Sequence, residues 1–246
     1  MSRYDFAAQR LFVDADLAEG RTVVCTPSQT NYLRNVLRLK AGGAILIFNG
    51  RDGEWRAELL DSNRRTAGLL VGTQVRAQEG GPDLDYLFAP LKRARLDYMV
   101  EKATEMGVAR LRPVLTRRTV ADRVNLERMR ANAIEAAEQC GILRLPEVHA
   151  PERLERMLAG WDPGRRLVFC DEGSDGADPL AALATLQPGP AAVIVGPEGG
   201  FDPAERELLS CQTFVTRISL GPRILRADTA AVAALALVNA ALGDWR

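Results

Sequence analysis

The feature that most constrains this fold is the alternation of strand-like and helix-like segments that begins at Asp83 and continues to Leu242. Short continuous apolar runs, such as Arg166–Cys170 and Ala191–Val195, are typical of buried strands, and segments with helical periodicity separate them. Alternating strands and helices predict an α/β fold, in which a mostly parallel sheet is covered by helices on both faces.

The same periodicity gives approximate bounds for each element of this region. Strands are predicted at Leu84–Ala89, Leu111–Leu115, Arg166–Cys170, Ala191–Val195 and Thr213–Leu220. Helices are predicted at Leu96–Met106, Asn125–Gln139, Glu152–Leu158, Pro179–Leu186 and Asp228–Leu242. A further helix begins after Asp202, which is predicted to cap it, with Pro203 at the first helical position and Glu205 completing a capping box.

The first part of the chain has a different pattern, with short strands around one helix. Strands are predicted at Arg21–Cys25, Ala44–Phe48, Glu54–Leu60 and Ala67–Val75, and a helix at Ser28–Leu39. The turn signals Asn49-Gly50 and Asp52-Gly53 predict a hairpin between two of these strands. The pattern indicates a small β-barrel at residues 1–78, and Gly80-Gly81-Pro82 separates it from an α/β domain at residues 82–246.

Charge is balanced over the whole chain but unevenly distributed along it. The formal net charge is zero, yet residues 91–130 carry eleven Lys and Arg against five Asp and Glu. Residues 131–214 carry six basic and fourteen acidic residues. A local basic segment in a neutral protein is consistent with an anionic partner, and it is equally consistent with a solvated helix face.

The cysteines and the apolar segments argue against several classes of protein. The four cysteines have neither CxxC nor zinc-ligand spacing, so no metal site is predicted. A catalytic pair of Cys140 and His149 is an alternative to buried, unreactive thiols. The most apolar segment, Ala227–Leu242, is too short to span a bilayer. We therefore expect a cytoplasmic protein with reduced thiols and no membrane partner.

The first segment that indicates chemistry is the loop Gly196–Phe201, which joins a buried strand to a capped helix. Its glycines Gly199 and Gly200 permit positive φ angles and close approach of a ligand to the backbone. The loop matches neither the dinucleotide motif nor the P-loop, and it has no lysine for a phosphate. It therefore predicts a neutral or cationic ligand, with a plain strand-to-helix turn as the alternative.

A second strand–loop–helix junction lies at Leu220–Ala230, after the next strand. Ligands of open α/β sheets bind beyond the carboxyl ends of strands. We therefore expect this loop and Gly196–Phe201 to lie at neighbouring strand ends on one sheet edge and to enclose one ligand. Asp228 or Thr229 is predicted to cap the alanine-rich helix that follows, and its small side chains permit close packing against another helix.

At these two segments the sequence resembles the ribosomal small-subunit RNA uridine-N3 methyltransferases of the SPOUT class. Further matching stretches follow in the same order along nearly the whole chain, which makes the resemblance more specific than either glycine loop. They are Arg10–Phe12, Val36–Arg38, Gly42–Gly50, Glu101–Val108, Arg112–Arg118 and Glu135–Gly141.

The resemblance implies a PUA-like RNA-binding barrel at residues 1–78 and a SPOUT methyltransferase domain with a C-terminal trefoil knot at residues 82–246. General topology rules argue against knots, so the knot is expected from the resemblance alone. The resemblance also implies a homodimer, S-adenosylmethionine as cofactor, and one uridine of small-subunit (16S) ribosomal RNA as substrate, in free RNA or in the assembled small subunit.

Carried over by position, the resemblance assigns cofactor binding to the two glycine loops and to the strand end at Phe169–Glu172. The predicted cofactor-binding residues are Cys170, Glu172, Gly196, Pro197, Glu198, Gly199, Gly200, Leu220, Gly221, Ile224 and Leu225. The predicted catalytic residues are Arg226, Arg223 and Glu198.

Uridine N3 carries a proton that must leave before the nitrogen can attack a methyl group. A carboxylate, Glu198 or Asp228, would act as the base. Alternatively, Arg223 and Arg226 would stabilise the developing uridine anion, which is the route that we favour.

Basic residues that occur close together in the sequence are candidates for phosphate contacts. The predicted RNA-binding residues are Arg10, Arg34, Arg38, Lys92, Arg93, Arg95, Arg117 and Arg118. Arg34 and Arg38 are four residues apart, so one helix face would present both. Such contacts position an RNA rather than read its sequence.

Two other functions fit parts of the same pattern. One is a non-catalytic RNA-binding protein whose cofactor site has degenerated. The other is an α/β enzyme that binds a nucleotide or a phosphate, against which the absence of a lysine in the glycine loop counts. Titration with S-adenosylmethionine separates both from the methyltransferase.

Overall fold

The computed structural model describes residues 8–60, 66–121, 123–173 and 178–245. The chain forms two compact units, of which the first comprises Met1–Gly80 and Ile134–Leu145. The second comprises Gly81–Ala133 and Pro146–Arg246. The sequence predicted two continuous domains, at residues 1–78 and 82–246. The structure differs from this prediction mainly in the segment Ile134–Leu145, which packs with the first unit.

The first unit is built on a five-stranded sheet with the order β1-β3-β4-β5-β2. β1 pairs with β3 in parallel, and the other three pairs are antiparallel. Its elements are β1 (Arg10–Phe12), β2 (Thr22–Val24), α1 (Pro27–Asn31), a π-helical turn (Tyr32–Val36), β3 (Ala44–Phe48), β4 (Glu54–Leu59) and β5 (Gly68–Arg76). Short strands around one helix were predicted for this part of the chain, and this prediction is confirmed.

The hairpin predicted from the turn signals is present between β3 and β4. Gly50 and Gly53 have φ angles of 82° and 81°, in the left-handed region that glycine adopts without strain. Asn49 supports the turn, because its Oδ1 accepts hydrogen bonds from the backbone nitrogens of Arg51 and Asp52.

The helix predicted at Ser28–Leu39 is shorter and less regular than expected. α1 ends at Asn31, the π-helical turn follows to Val36, and Arg38 has a positive φ of 54°. Arg34 therefore lies in the π-helical turn and Arg38 lies beyond it. The prediction that one helix face presents both arginines is wrong, because the helical structure ends at Val36, before Arg38.

The segment Ile134–Leu145 joins the first unit through both apolar and polar contacts. Phe48, Ala137 and Leu143 form a small buried cluster. Glu138 accepts a hydrogen bond from the backbone nitrogen of Phe12 at 2.8 Å. Burial raises the pKa of Glu138, although this hydrogen bond opposes the shift.

The second unit contains a sheet with the strand order β12-β10-β11-β6-β7-β8, and β9 pairs with β7. The pairs of this sheet are all parallel among the described residues. Its strands are β6 (Leu84–Phe88), β7 (Arg110–Leu115), β8 (Glu147–Val148), β9 (Glu152–Arg153), β10 (Arg166–Cys170), β11 (Ala191–Val195) and β12 (Val215–Ile218). Its helices are α2 (Arg93–Glu105), α4 (Leu154–Ala159), α5 (Pro179–Ala184), α6 (Pro203–Ser210) and α7 (Ala227–Leu242). The helix α3 (Leu126–Cys140) begins in this unit, and its residues from Ile134 onward belong to the first unit.

Both faces of this sheet are buried, because successive strand residues enter two different hydrophobic clusters. Val193 and Val195 of β11 pack in one cluster with residues of α2 and α7. Ala192 and Ile194 pack in the other cluster with residues of α4 and α6. This alternation explains why the strands are continuous apolar runs, and it confirms the predicted α/β fold with a parallel sheet covered on both faces.

The structure also shows where local sequence signals were reliable and where they were not. The capping box at the start of α6 is present, with Asp202 at the N-cap and Glu205 at the third helical position. The predicted helix at Glu152–Leu158 begins instead as strand β9, and α4 starts at Leu154. Glu152 and Arg153 adopt an extended backbone because they pair with β7. Local periodicity could not predict this pairing, since β7 is distant in the sequence.

Within the described residues, no helix combines the length and the apolar character that a membrane-spanning segment needs.

Candidate functional site

The candidate site lies at the carboxyl ends of three parallel strands. β10 pairs with both β11 and β12, so the segments that follow these strands emerge at one sheet edge. This confirms the prediction that the loops after β11 and β12 lie at the same edge of the sheet. Their predicted position at neighbouring strand ends is wrong, because β10 separates β11 from β12. Two strand spacings, or about 10 Å, separate the loops, which leaves room for a ligand.

These three strand ends enclose one cavity with a volume of about 690 Å³, within the usual range of small-molecule sites. Its lining residues come from the end of β10, the start of α5, the loop after β11 and the loop after β12. The cavity brings together the predicted cofactor-binding residues Cys170, Glu172, Gly196, Pro197, Glu198, Gly199, Gly200, Leu220, Gly221, Ile224 and Leu225. Their roles in binding stay a prediction.

The loop after β11 is a tight turn packed on the core. The backbone nitrogen of Gly200 donates to the carbonyl oxygen of Pro197 at 2.9 Å, and Gly200 has a φ of 68°. Gly196 lies against the ring of Phe201, which is 3% exposed and packs edge-on against Phe169. The loop is thereby fixed to the hydrophobic core beneath it.

Asp171, directly after β10, anchors the middle wall of the cavity. Its buried carboxylate accepts hydrogen bonds from the backbone nitrogen of Gly173 and from the guanidinium groups of Arg206 and Arg217. Burial raises the pKa of Asp171, but the hydrogen bond from Gly173 and the two arginines outweigh burial and lower the pKa overall. The carboxylate is therefore ionised and ties the start of this segment to α6 and β12.

Cys170 contributes a neutral thiol to the wall of the cavity. The side chain is buried, and burial raises the pKa of the thiol to about 12. Because only a thiolate is a strong nucleophile, Cys170 is suited to contact a ligand through its sulfur rather than to form a covalent bond with it.

The loop after β12 is more open than the loop after β11. Arg223, Ile224 and Arg226 are exposed, and Ile224 reaches 94% exposure. Arg223 and Ile224 line the cavity, whereas Arg226 is the N-cap residue of α7. The prediction that Asp228 or Thr229 caps this helix is wrong, since the helix begins earlier. Asp228 lies in the first turn, where a negative charge favours the helix dipole.

Three of the predicted RNA-binding arginines contact the loop Gly196–Phe201 and the start of α6. Arg95 forms an ion pair with Glu198 at 3.1 Å, and Arg118 donates to the carbonyl oxygen of Gly199 at 2.7 Å. Arg117 forms an ion pair with Asp202 at 2.9 Å. Asp202 is the N-cap residue of α6, the helix that follows this loop. The three arginines therefore link the segments after β6 and β7 to the candidate site.

The other predicted RNA-binding residues lie in different settings. Lys92 and Arg93 are exposed at the start of α2, and Arg38 is exposed in the first unit, where Arg34 is half-buried. Arg10 is only 3% exposed and forms an ion pair with the buried Glu54. A buried arginine that is paired with a buried carboxylate is not available to a phosphate, so Arg10 is removed from the proposed RNA contacts.

Sequence reasoning missed several residues of the cavity. Asp178 and Pro179 at the start of α5 line it, as do Ser219 and the helix residues Ala227 and Ala230. Asp171 lies within the predicted strand end Phe169–Glu172 but was not named individually, although its position directly after a strand on the ligand-binding edge was a usable signal. No local signal marked Ser219, Ala227 and Ala230 as cavity residues, because small side chains also occur where helices pack closely.

The sequence matches protein families of known class. Residues 79–239, well over half of the chain, match the RNA methyltransferase domain family. Residues 26–69 match the RNA methyltransferase PUA domain family. The ribosomal RNA small subunit methyltransferase E of Rickettsia conorii is 30% identical over 94% of this chain and 94% of that protein. The chain belongs to the family of ribosomal RNA small subunit methyltransferase E.

Two further comparisons agree with this family. The methyltransferase E of a Synechocystis strain is 33% identical over 96% of this chain and 78% of that protein. A putative methyltransferase from Legionella pneumophila, solved in complex with the bound cofactor SAM, superimposes with a TM-score of 0.84 at 26% identity. The alignment covers 96% of this chain and 99% of the Legionella protein. The resemblance to a methyltransferase family with a PUA-like domain is confirmed.

Proposed function

We propose that this protein transfers the methyl group of S-adenosylmethionine to N3 of a uridine in small-subunit ribosomal RNA. The observation that carries the proposal is the cavity formed by three strand-end loops, in a chain of the methyltransferase E family. The Legionella relative solved with SAM supports the choice of cofactor. We further propose that the protein acts in the cytoplasm as a homodimer with a C-terminal trefoil knot.

The residues of the cavity fit S-adenosylmethionine. Gly199 and Gly200 line the cavity without side chains, so a ligand can approach the main chain closely, and Leu220 and Leu225 supply apolar surface. The cavity also carries the carboxylates of Glu172 and Asp178, which suit a positively charged ligand. When bound, the cofactor supplies an electrophilic methyl group on a sulfonium, and the loops hold it at a fixed position for an in-line attack.

Among the candidate catalytic groups, the arginines fit the reaction better than Glu198 does. Oε1 of Glu198 is already engaged by Arg95. Within the described residues, Arg223 and Arg226 form no ion pair, and both are exposed beside the cavity. We therefore assign the guanidinium groups to stabilise the negative charge that uridine acquires when N3 loses its proton. Asp228 remains an alternative base.

Mapping of the methylated nucleotide tests the proposal. The purified protein, S-adenosylmethionine and either free 16S RNA or small subunits are incubated, and the RNA is digested for mass spectrometry. We expect one new N3-methyluridine. A methyl group on another base or on ribose would refute the proposed position. Absence of transfer to both substrates, with cofactor bound, would favour the non-catalytic RNA-binding protein.

We predict that the double variant Lys92→Ala/Arg93→Ala binds RNA more weakly with unchanged cofactor affinity, because both side chains are exposed outside the cavity. Each lost phosphate contact should reduce the slope of log affinity against log salt by about 0.7 to 0.9. Filter binding at several salt concentrations measures this slope. Arg166→Ala, an exposed arginine at the opposite sheet edge, is the control. An unchanged slope in the double variant would contradict the assignment.

A further inference from the structure

The glycine loop of the cavity contains a hydrogen-bonded β-turn. The backbone nitrogen of Gly200 donates to the carbonyl oxygen of Pro197, which places Glu198 and Gly199 at the two central positions of the turn. All four residues line the cavity. The conformation of this turn therefore determines which main-chain groups a ligand meets.

Each central residue of the turn is held by a different arginine. Nη1 of Arg95 lies 3.1 Å from Oε1 of Glu198, so it fixes the first central residue through its side chain. Nη1 of Arg118 donates to the carbonyl oxygen of Gly199 at 2.7 Å, so it fixes the second through its backbone. The second contact is charge-assisted, which makes it stronger than a neutral hydrogen bond.

The strand order explains how these two arginines reach the turn. β6 lies next to β11, and β7 lies next to β6, all in parallel. Arg95 is in the first turn of α2, which follows β6, and Arg118 follows β7. Both side chains therefore start from strand ends on the same sheet edge as the turn.

The end of the same loop is fixed in addition by the residue that precedes Arg118. The backbone nitrogen of Arg117 donates to Oε1 of Glu205 at 2.8 Å, and its guanidinium pairs with Asp202. Oε2 of Glu205 meanwhile accepts from the backbone nitrogen of Asp202. The segment that carries Arg118 is therefore itself attached to the start of α6.

We propose that Arg118, assisted by Arg95, is a positioning residue that holds the Pro197–Gly200 turn in its cofactor-binding conformation. The inference rests on the proposed function, since it names residues that act on the cofactor without touching it. A loop with two adjacent glycines loses much conformational freedom when it is ordered by a ligand. Arginines that order the loop beforehand reduce this loss and so raise cofactor affinity.

The variant Arg118→Ala tests this role in the full-length protein. We expect the dissociation constant and the KM for S-adenosylmethionine to rise about tenfold. We expect kcat to change little, because the contact is the same in the ground state and the transition state. Arg118→Lys keeps a charged donor and should recover part of the affinity. In the cofactor-free variant, amide hydrogen exchange in residues 196–202 should be faster than in the wild type.

Arg166→Ala is the matched control, because Arg166 is an exposed arginine at the first position of β10, at the opposite edge of the sheet. Unchanged cofactor affinity in Arg118→Ala would overturn the proposal, and lost RNA affinity in its place would make Arg118 a phosphate contact. Failure of the wild type to bind S-adenosylmethionine would refute the proposed function. In that case the exchange rates still decide whether Arg118 holds the turn.

Discussion

The variant Gly196→Ala is expected to bind S-adenosylmethionine tenfold to a hundredfold more weakly than the wild type, on the order of 1–3 kcal/mol. A Cβ atom at this position would lie 2.7 Å from Cε2 and 2.9 Å from Cδ2 of Phe201. The Phe201 ring is buried and packs edge-on against Phe169 in the core, so its displacement would disturb the core. The loop must therefore move away from the core, and the cavity wall moves with it.

Isothermal titration calorimetry measures the affinity, and urea unfolding measures the accompanying loss of stability. Gly80→Ala is the control, because a Cβ atom there would meet no atom within 4 Å. The double variant Gly196→Ala/Phe201→Leu should regain part of the affinity, since the smaller side chain relieves the overlap. Equal affinities of Gly196→Ala and wild type would show that the loop position does not control binding.

The variant Asp171→Asn is expected to lower the free energy of unfolding by about 2 kcal/mol at neutral pH. The amide still accepts the hydrogen bond from Gly173, but it removes the negative charge that Arg206 and Arg217 share. Since both arginines are partly exposed, solvent screens part of the loss. The wall at the end of β10 should loosen, so cofactor affinity should fall as well.

The pH dependence of this effect follows from the lowered pKa of Asp171. A carboxyl whose pKa is lower in the folded state than in the unfolded state stabilises the fold at pH values above its unfolded-state pKa, which is about 3.9. This contribution is lost as the pH falls through the folded-state pKa. The difference in unfolding free energy between wild type and Asp171→Asn should therefore be full at about pH 7 and shrink below about pH 4.

Urea unfolding over this pH range measures the difference. Asp162→Asn is the matched control, because Asp162 also accepts a hydrogen bond from the backbone nitrogen two residues later. It is exposed and, within the described residues, forms no ion pair. The control should cost little at any pH. A difference for Asp171→Asn that does not change with pH would contradict the charge-based account.

Local signals in the sequence were sufficient for the elements that carry the site. The strands Arg166–Cys170 and Ala191–Val195 were predicted with the bounds that the structure shows, because both are continuous apolar runs between polar segments. The capping box at Asp202 was equally clear, since its residue types and spacing have one physical meaning.

Local signals could not predict the strand order or the partners of the charged residues. The position of β10 between β11 and β12 depends on pairing across the chain, which no local pattern encodes. Arg10, Arg95 and Arg118 all read as basic surface residues in the sequence. The structure shows one buried with Glu54 and two directed at the glycine loop, because tertiary contacts decide where a long side chain goes.

A crystal structure of the protein with S-adenosylmethionine would show where on the protein the cofactor binds. We predict cofactor density between the loop Gly196–Phe201 and the loop Leu220–Arg226, with the end of β10 as the third wall. Density at another place on the protein, or none between these loops in crystals grown at a saturating concentration, would contradict it.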